Sequence, residues 1–172
     1  MDPQLQTFID QCRHCLTTQP GPAGRQQVAT LLQALLSDPA FVDRHIPPQT
    51  GEREKLYEDP DLGFCILAHN YRTAKNSTPH DHAHSWAIYG QARGETEMSD
   101  YALLEPATPE RAGKVKSVRT YSLTPGVAHV YNEGDLHAPT RVAPTSFMVR
   151  MISLRRMSMV RSTPSRPPAI KP

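Results

Sequence analysis

The hydrophobic pattern changes period near residue 50, and that change limits the fold more than any other feature of the chain. Before it, apolar residues recur at helical spacing: Leu5, Phe8, Ile9, Cys12 and Leu16, then, after the break Gln19-Pro20-Gly21-Pro22, Val28, Leu31, Leu32, Leu35 and Leu36. That repeat predicts two amphipathic helices. From about Glu52 the apolar runs become short or alternating, at Phe64 to Ala68, Ser85 to Tyr89, Thr96 to Leu104, Val115 to Leu123, Val127 to Tyr131 and Ser146 to Leu154. Alternating side chains share a face of a strand, so these runs predict strands. Turn residues separate them at Asn76 to Pro79, Pro106 to Pro109, Pro125-Gly126, Asn132 to Gly134 and Pro144. The spacing predicts a mainly β fold, an all-β barrel or double-sheet jelly roll behind an N-terminal helical segment. Residues 1–50 are expected to form a helical cap, 51–160 the barrel, and 161–172 a flexible Pro/Arg-rich tail.

A chain of 172 residues suffices for one substantial core. The 17 prolines against 9 glycines also suit many short elements better than a helical bundle. No apolar run is long enough to cross a bilayer, and MDPQLQTFID lacks the basic and apolar regions of a signal peptide, so no membrane role and a cytoplasmic location are expected. Net charge is +2, but Arg150, Arg155, Arg156, Arg161, Arg166 and Lys171 carry the basic excess in the proline-rich end. They form no stripe with interleaved aromatics, so no nucleic-acid partner is expected.

Cys12-Arg13-His14-Cys15 has the spacing of a zinc half-site or a dithiol. A tetrahedral zinc site needs a second ligand pair, and a dithiol active site needs a preceding strand. Cys12 instead continues the apolar stripe of the first helix, which predicts core cysteines. Three cysteines are also too few for a disulfide framework.

The chemistry concentrates in Pro79-His80-Asp81-His82-Ala83-His84-Ser85-Trp86-Ala87-Ile88-Tyr89-Gly90, with Gly94 following and Gly134-Asp135-Leu136-His137 far downstream. On an extended strand His80 and His82 share a face and can hold one metal while Asp81 points away. His137 is the natural third donor in a barrel that brings distant strands together. His84 has the same parity, and is read as a ligand, as a partner of the ligands or as a rim residue.

With these motifs the sequence resembles the cupin superfamily, whose fold is a double-stranded β-helix, and within it the thiol dioxygenases of the cysteine dioxygenase type. The likeness runs from about Glu52 to Leu154. The general cupin carboxylate ligand would fall at Trp86 or Ala87, which cannot supply it. Thiol dioxygenases also lack that carboxylate, and the resemblance implies His80, His82 and His137 as the ligands of one Fe(II). It also implies an arginine for the substrate carboxylate close to Arg53, 27 residues before His80. A guanidinium grips a carboxylate through two parallel hydrogen bonds, which accounts for the residue type. Two departures stand out. Ala87 occupies the position of the cysteine in the Cys-Tyr crosslink of animal relatives, and no Tyr or His follows His137, where the family carries a Ser-His-Tyr relay. Arg150, the only long polar side chain in the last predicted strand, is expected either to meet a ligand or to pair with Glu95 or Glu97.

These features point to an iron-dependent dioxygenase that takes O2 and a small anionic substrate, most simply a thiol oxidised to a sulfinate. Arg53, His84 and Arg150 are the candidate catalytic residues, and Arg53, Trp86 and Arg150 the candidate substrate contacts. Two other readings fit the same residues: a carbon–carbon-cleaving cupin dioxygenase for a diketone or hydroxyketone, and a metal-binding cupin sensor without turnover. A homodimer is compatible with all three.

Overall fold

The computed structural model describes residues 1–141 and 146–153. The expected tail, the turn at Pro144 and the end of the last predicted strand at Leu154 lie outside them.

The N-terminal segment folds as three helices, α1 (Pro3–Thr18), α2 (Pro22–Leu36) and α3 (Pro39–His45). Asp2 caps α1, its side chain accepting from the N–H groups of Gln4 and Leu5. Leu5, Phe8, Ile9 and Cys12 are the buried stripe of α1, as their spacing predicts. The third helix was not expected. Seven residues are too few to display a period, although Asp38 before Pro39 is a start signal, and the Asp38 side chain accepts from Ala40 N–H at 2.9 Å.

Among the described residues nine strands follow: β1 (Glu54–Glu58), β2 (Phe64–Tyr71), β3 (Lys75–Asn76), β4 (Ala87–Arg93), β5 (Thr96–Glu105), β6 (Lys114–Leu123), β7 (Ala128–Tyr131), β8 (Leu136–Arg141) and β9 (Ser146–Ser153). They pair antiparallel in two sheets, ordered β1-β2-β9-β4-β7 and β3-β8-β5-β6. This mainly β, double-stranded β-helix barrel behind a helical segment is the expected fold. Among the described residues no helix is long and apolar enough to cross a membrane.

The larger sheet is buried on both faces, and alternation along its strands sorts the side chains. Phe64, Ile66 and Ala68 of β2, Ile88 of β4, and Val149 and Met151 of β9 pack outward against Leu32, Leu36 and Phe41 of the helices. Removing each such side chain from water contributes roughly 1.5–3 kcal/mol. Their neighbours turn into the barrel, where Ala87, Tyr89, Met98, Leu123, Tyr131 and Met148 form a second cluster. The helices approach β4 closely at Gly90, where a Cβ would lie 2.5 Å from Leu36 Cδ1 and 2.8 Å from Leu32 Cδ2. An ion pair ties α1 to the barrel: Arg13 donates to the buried Asp59 at 2.5 Å, while Asp59 also accepts from Leu62 N–H at 2.7 Å.

Candidate metal centre

Three imidazoles converge from two distant segments. His80 N–H donates to His137 O at 3.0 Å and His137 N–H donates back to His80 O at 2.9 Å. This pair is an isolated bridge and His82 sits just before a turn, so neither His80 nor His82 belongs to a regular strand. The turn is fixed by Ala83 N–H donating to Asp81 Oδ1 at 3.0 Å and Ser85 N–H donating to His82 O at 2.9 Å, with Ala83 at φ 52°. Strand parity therefore does not bring these two rings together. The bridge and the turn do, with ring centroids 5.6 Å apart for His80 and His82, 4.7 Å for His80 and His137, and 5.0 Å for His82 and His137.

One potential donor atom from each ring lies within 4.8 Å of the others. His80 Nδ1 lies 2.9 Å from Thr78 O, and His137 Nδ1 lies 3.0 Å from Asp135 O. A carbonyl only accepts, so each Nδ1 carries the proton and each Nε2 keeps its lone pair for a cation. Burial pushes the His137 pKa down to about 4. His82 falls to about 3, first through burial and then through the charge of Arg150. Both rings are thus neutral near pH 7, the form in which imidazole binds a metal. The donor set fits a divalent first-row transition ion, and no carboxylate belongs to the cluster.

Arg150 stands beside the imidazoles. Register places it opposite Leu67 of β2 and Tyr89 of β4, so all three face the barrel interior. Its Nη2 lies 3.2 Å from His82 Nδ1 and 3.3 Å from His82 Nε2, and its guanidinium carbon 5.0 Å from the centre of the Tyr89 ring. Its Nε is buried without a hydrogen-bond partner, and among the described residues no carboxylate forms an ion pair with it. Glu95 and Glu97, the expected alternative partners, flank the buried Thr96 and are exposed.

Behind His137 lies a polar chain. Tyr131 stacks on the His137 ring with centroids 3.9 Å apart, and its hydroxyl is 2.7 Å from that of Tyr121. Tyr121 donates to Asp100 Oδ1 at 3.1 Å, and Arg119 donates to Asp100 Oδ2 at 2.6 Å. Tyr131, Asp100 and Arg119 border a cavity of about 260 Å³. Burial raises the Tyr121 pKa to about 12, so the chain holds its protons and fixes the face of His137.

The remaining candidates fall elsewhere. Arg53 is exposed immediately before β1, and His84 is exposed in the turn after His82. Trp86 is 7% exposed in the helix-side core, with the Arg25 guanidinium 5.7 Å from its ring centre. Cys12 is fully buried and its thiol pKa is pushed up by burial, while Cys15 is half-buried. A Cys12→Ala, Cys15→Ala variant should lose about 1–2 kcal/mol in a urea melt, with its metal content per chain unchanged. A loss of metal in the folded variant would assign the thiols a role in the site.

The residue that the sequence motifs do not mark is Tyr89. Its hydroxyl is 3.0 Å from His82 Nε2 and 3.5 Å from His137 Nε2, inside the cluster. Its parity with Ala87 on one strand is the only signal for it in the sequence.

No family model matches the sequence, and no curated protein matches it. Among solved structures, KdgF from Halomonas sp. is 22% identical with a TM-score of 0.45, over 63% of this chain and 82% of that one. A Cupin_2 domain of an XRE family transcriptional regulator from Enterobacter cloacae is 18% identical with a TM-score of 0.40, over 60% and 96% of the two chains. A structure of oxalate oxidase is 16% identical with a TM-score of 0.41, over 62% and 53%.

Proposed function

We propose that this chain is a cupin dioxygenase that uses Fe(II) and O2 to oxidise a small anionic thiol to its sulfinate. The observation that carries this reading is the cluster of three imidazoles without a carboxylate, next to a guanidinium with an unpartnered buried Nε. Bound Fe(II) would supply the electron transfer to O2 that a closed-shell thiolate cannot provide alone, and a Lewis-acid position for sulfur. His80, His82 and His137 would hold it and leave its charge uncompensated, which favours an anionic substrate. Converting RS⁻ and O2 to RSO2⁻ conserves atoms and charge and needs no further reductant.

The protein's own part is orientation. Arg150 reaches into the barrel from β9 and binds the carboxylate or other anionic end of the substrate, while the buried walls keep water from that charge pair. Arg53, exposed immediately before β1, would act on the substrate only as a charge that attracts anions. His84 lies on the outer rim of the same turn.

The test is oxygen uptake by the iron-loaded protein against a panel of thiols and diketones, with the products identified by mass spectrometry. Uptake with a carboxylated thiol and a gain of two oxygen atoms is expected. Two carbon fragments from a ketone would replace this reading with carbon–carbon cleavage, and ligand binding without oxygen uptake would replace it with a sensor. Arg150→Gln should lose roughly 1.5–3 kcal/mol of binding from a charge-assisted contact, about tenfold to a hundredfold in KM. Because the contact is made in ground and transition states alike, kcat should change little. An equal KM for the anionic thiol in the variant would make Arg150 structural.

A further inference from the structure

We propose that Tyr89 is a fourth protein donor of the metal centre, bonding through its phenolic oxygen. This rests on the metal reading above and adds a ligand to it. Metal–donor bonds of about 2.0–2.1 Å put neighbouring donors about 3.0 Å apart in an octahedral shell and about 3.4 Å apart in a tetrahedral one. Tyr89 Oη lies 3.0 Å from His82 Nε2 and 3.5 Å from His137 Nε2, which are the spacings of donors in one shell. The oxygen already stands where a ligand of the same ion would stand.

The ring is held there from several sides. Tyr89 is 4% exposed, its ring centre is 5.1 Å from that of Tyr131 and 5.5 Å from that of His137, and the Arg150 guanidinium lies 5.0 Å from its centroid. The strand that carries it cannot shift outward, because Gly90 is pressed against Leu32 and Leu36. Three imidazoles, a dication and the Arg150 guanidinium put an excess of positive charge at the half-buried centre, on which Asp81 and Asp100 act only from outside the ring cluster. The Tyr89 phenolic oxygen, close to two of the imidazoles, would offset part of it directly. When a metal takes both atoms, the proton shared between His82 Nε2 and Tyr89 Oη leaves to solvent and two metal–ligand bonds form. With four protein donors the ion would keep fewer positions for substrate and O2, so a substrate would be expected to bind it through a single atom, with its other end at Arg150.

The test reads absorbance and affinity, with no turnover. Ferric iron bonded to a phenolic oxygen has a visible charge-transfer band, and ferric iron held by imidazoles alone does not. The wild-type protein loaded with iron and oxidised should show this band, and Tyr89→Phe, which keeps the ring contacts, should abolish it. Tyr131→Phe should retain it, since the Tyr131 hydroxyl is directed at Tyr121. Zinc affinity, measured by competition with a chromophoric chelator, should fall about tenfold or more in Tyr89→Phe. An iron-loaded wild type without the band, or a Tyr89→Phe variant with the band and unchanged zinc affinity, would overturn the proposal and leave the three-histidine site standing. A wild type that binds neither iron nor zinc would overturn the metal reading itself.

Discussion

His137→Ala is expected to take the purified protein from close to one metal ion per chain to less than about a tenth of that, measured by elemental analysis after dialysis. Removing one of a small set of donors costs more than the tenfold to hundredfold typical of a lost supporting contact, because the other donors cannot close the gap. The backbone pairing of residues 80 and 137 does not use the side chain, so the strand should stay in place. The lost packing is real, because the fully buried imidazole is stacked on Tyr131. A modest drop in melting temperature should therefore accompany the loss of metal. His137→Gln fills part of the space and separates the two effects: it should recover stability and leave the metal content low. Full metal retention in either folded variant would remove His137 from the site.

Gly24→Ala should destabilise the protein by about 3 kcal/mol or more, at the upper end of what overpacking costs. Gly24 lies in the first turn of α2, and a Cβ there would overlap the carbonyl oxygen of Gln19 and come within 2.8 Å of that of Cys15. Both obstacles are backbone at the end of α1, so no rotamer change relieves them. The two helices would have to separate, and the separation would reach Val28 and Ala29, which are fully buried in the same core. The midpoint of a urea melt reports the loss. An unchanged midpoint would mean that the α1–α2 connection is looser than described. In ordinary helix interiors the same substitution is favourable, since alanine restricts the unfolded chain, so the sign of the effect tests the close approach directly.

What the sequence makes legible here depends on how much of each signal is local. The helices α1 and α2 and the strands β2, β4, β5, β6, β7 and β9 carry their own period and are readable to within a few residues. The strand β8 is not, because Leu136-His137-Ala138-Pro139 contains a proline that argues against a strand, and pairing with β3 and β5 overrides it. β1 reads Glu54-Lys55-Leu56-Tyr57-Glu58 and lies at a sheet edge, where burial does not impose alternation. The three histidines are visible because His-x-His and a late His survive as motifs. Their meeting depends on a bridge and a turn with no signature of their own. Tyr89 is hidden for the opposite reason. A tyrosine in a strand looks like core, and only the inward parity shared with Ala87 and Arg150 shows that its hydroxyl faces the imidazoles.

The larger sheet turns a different chemistry to each of its sides, and this makes the interior open to change. Hydrophobic contact with the helices anchors the outer positions of β2, β4 and β9, so a substitution there is felt as lost stability. Leu67 and Met148 sit at inward positions of the same strands, in register with Arg150 and Gln91. A library that varies Leu67, opposite Arg150, and leaves Ile66, Ile88, Val149 and the buried Met148 untouched should therefore yield folded members with altered substrate preference. In an evolving lineage the same arrangement lets specificity drift while the scaffold is inherited intact.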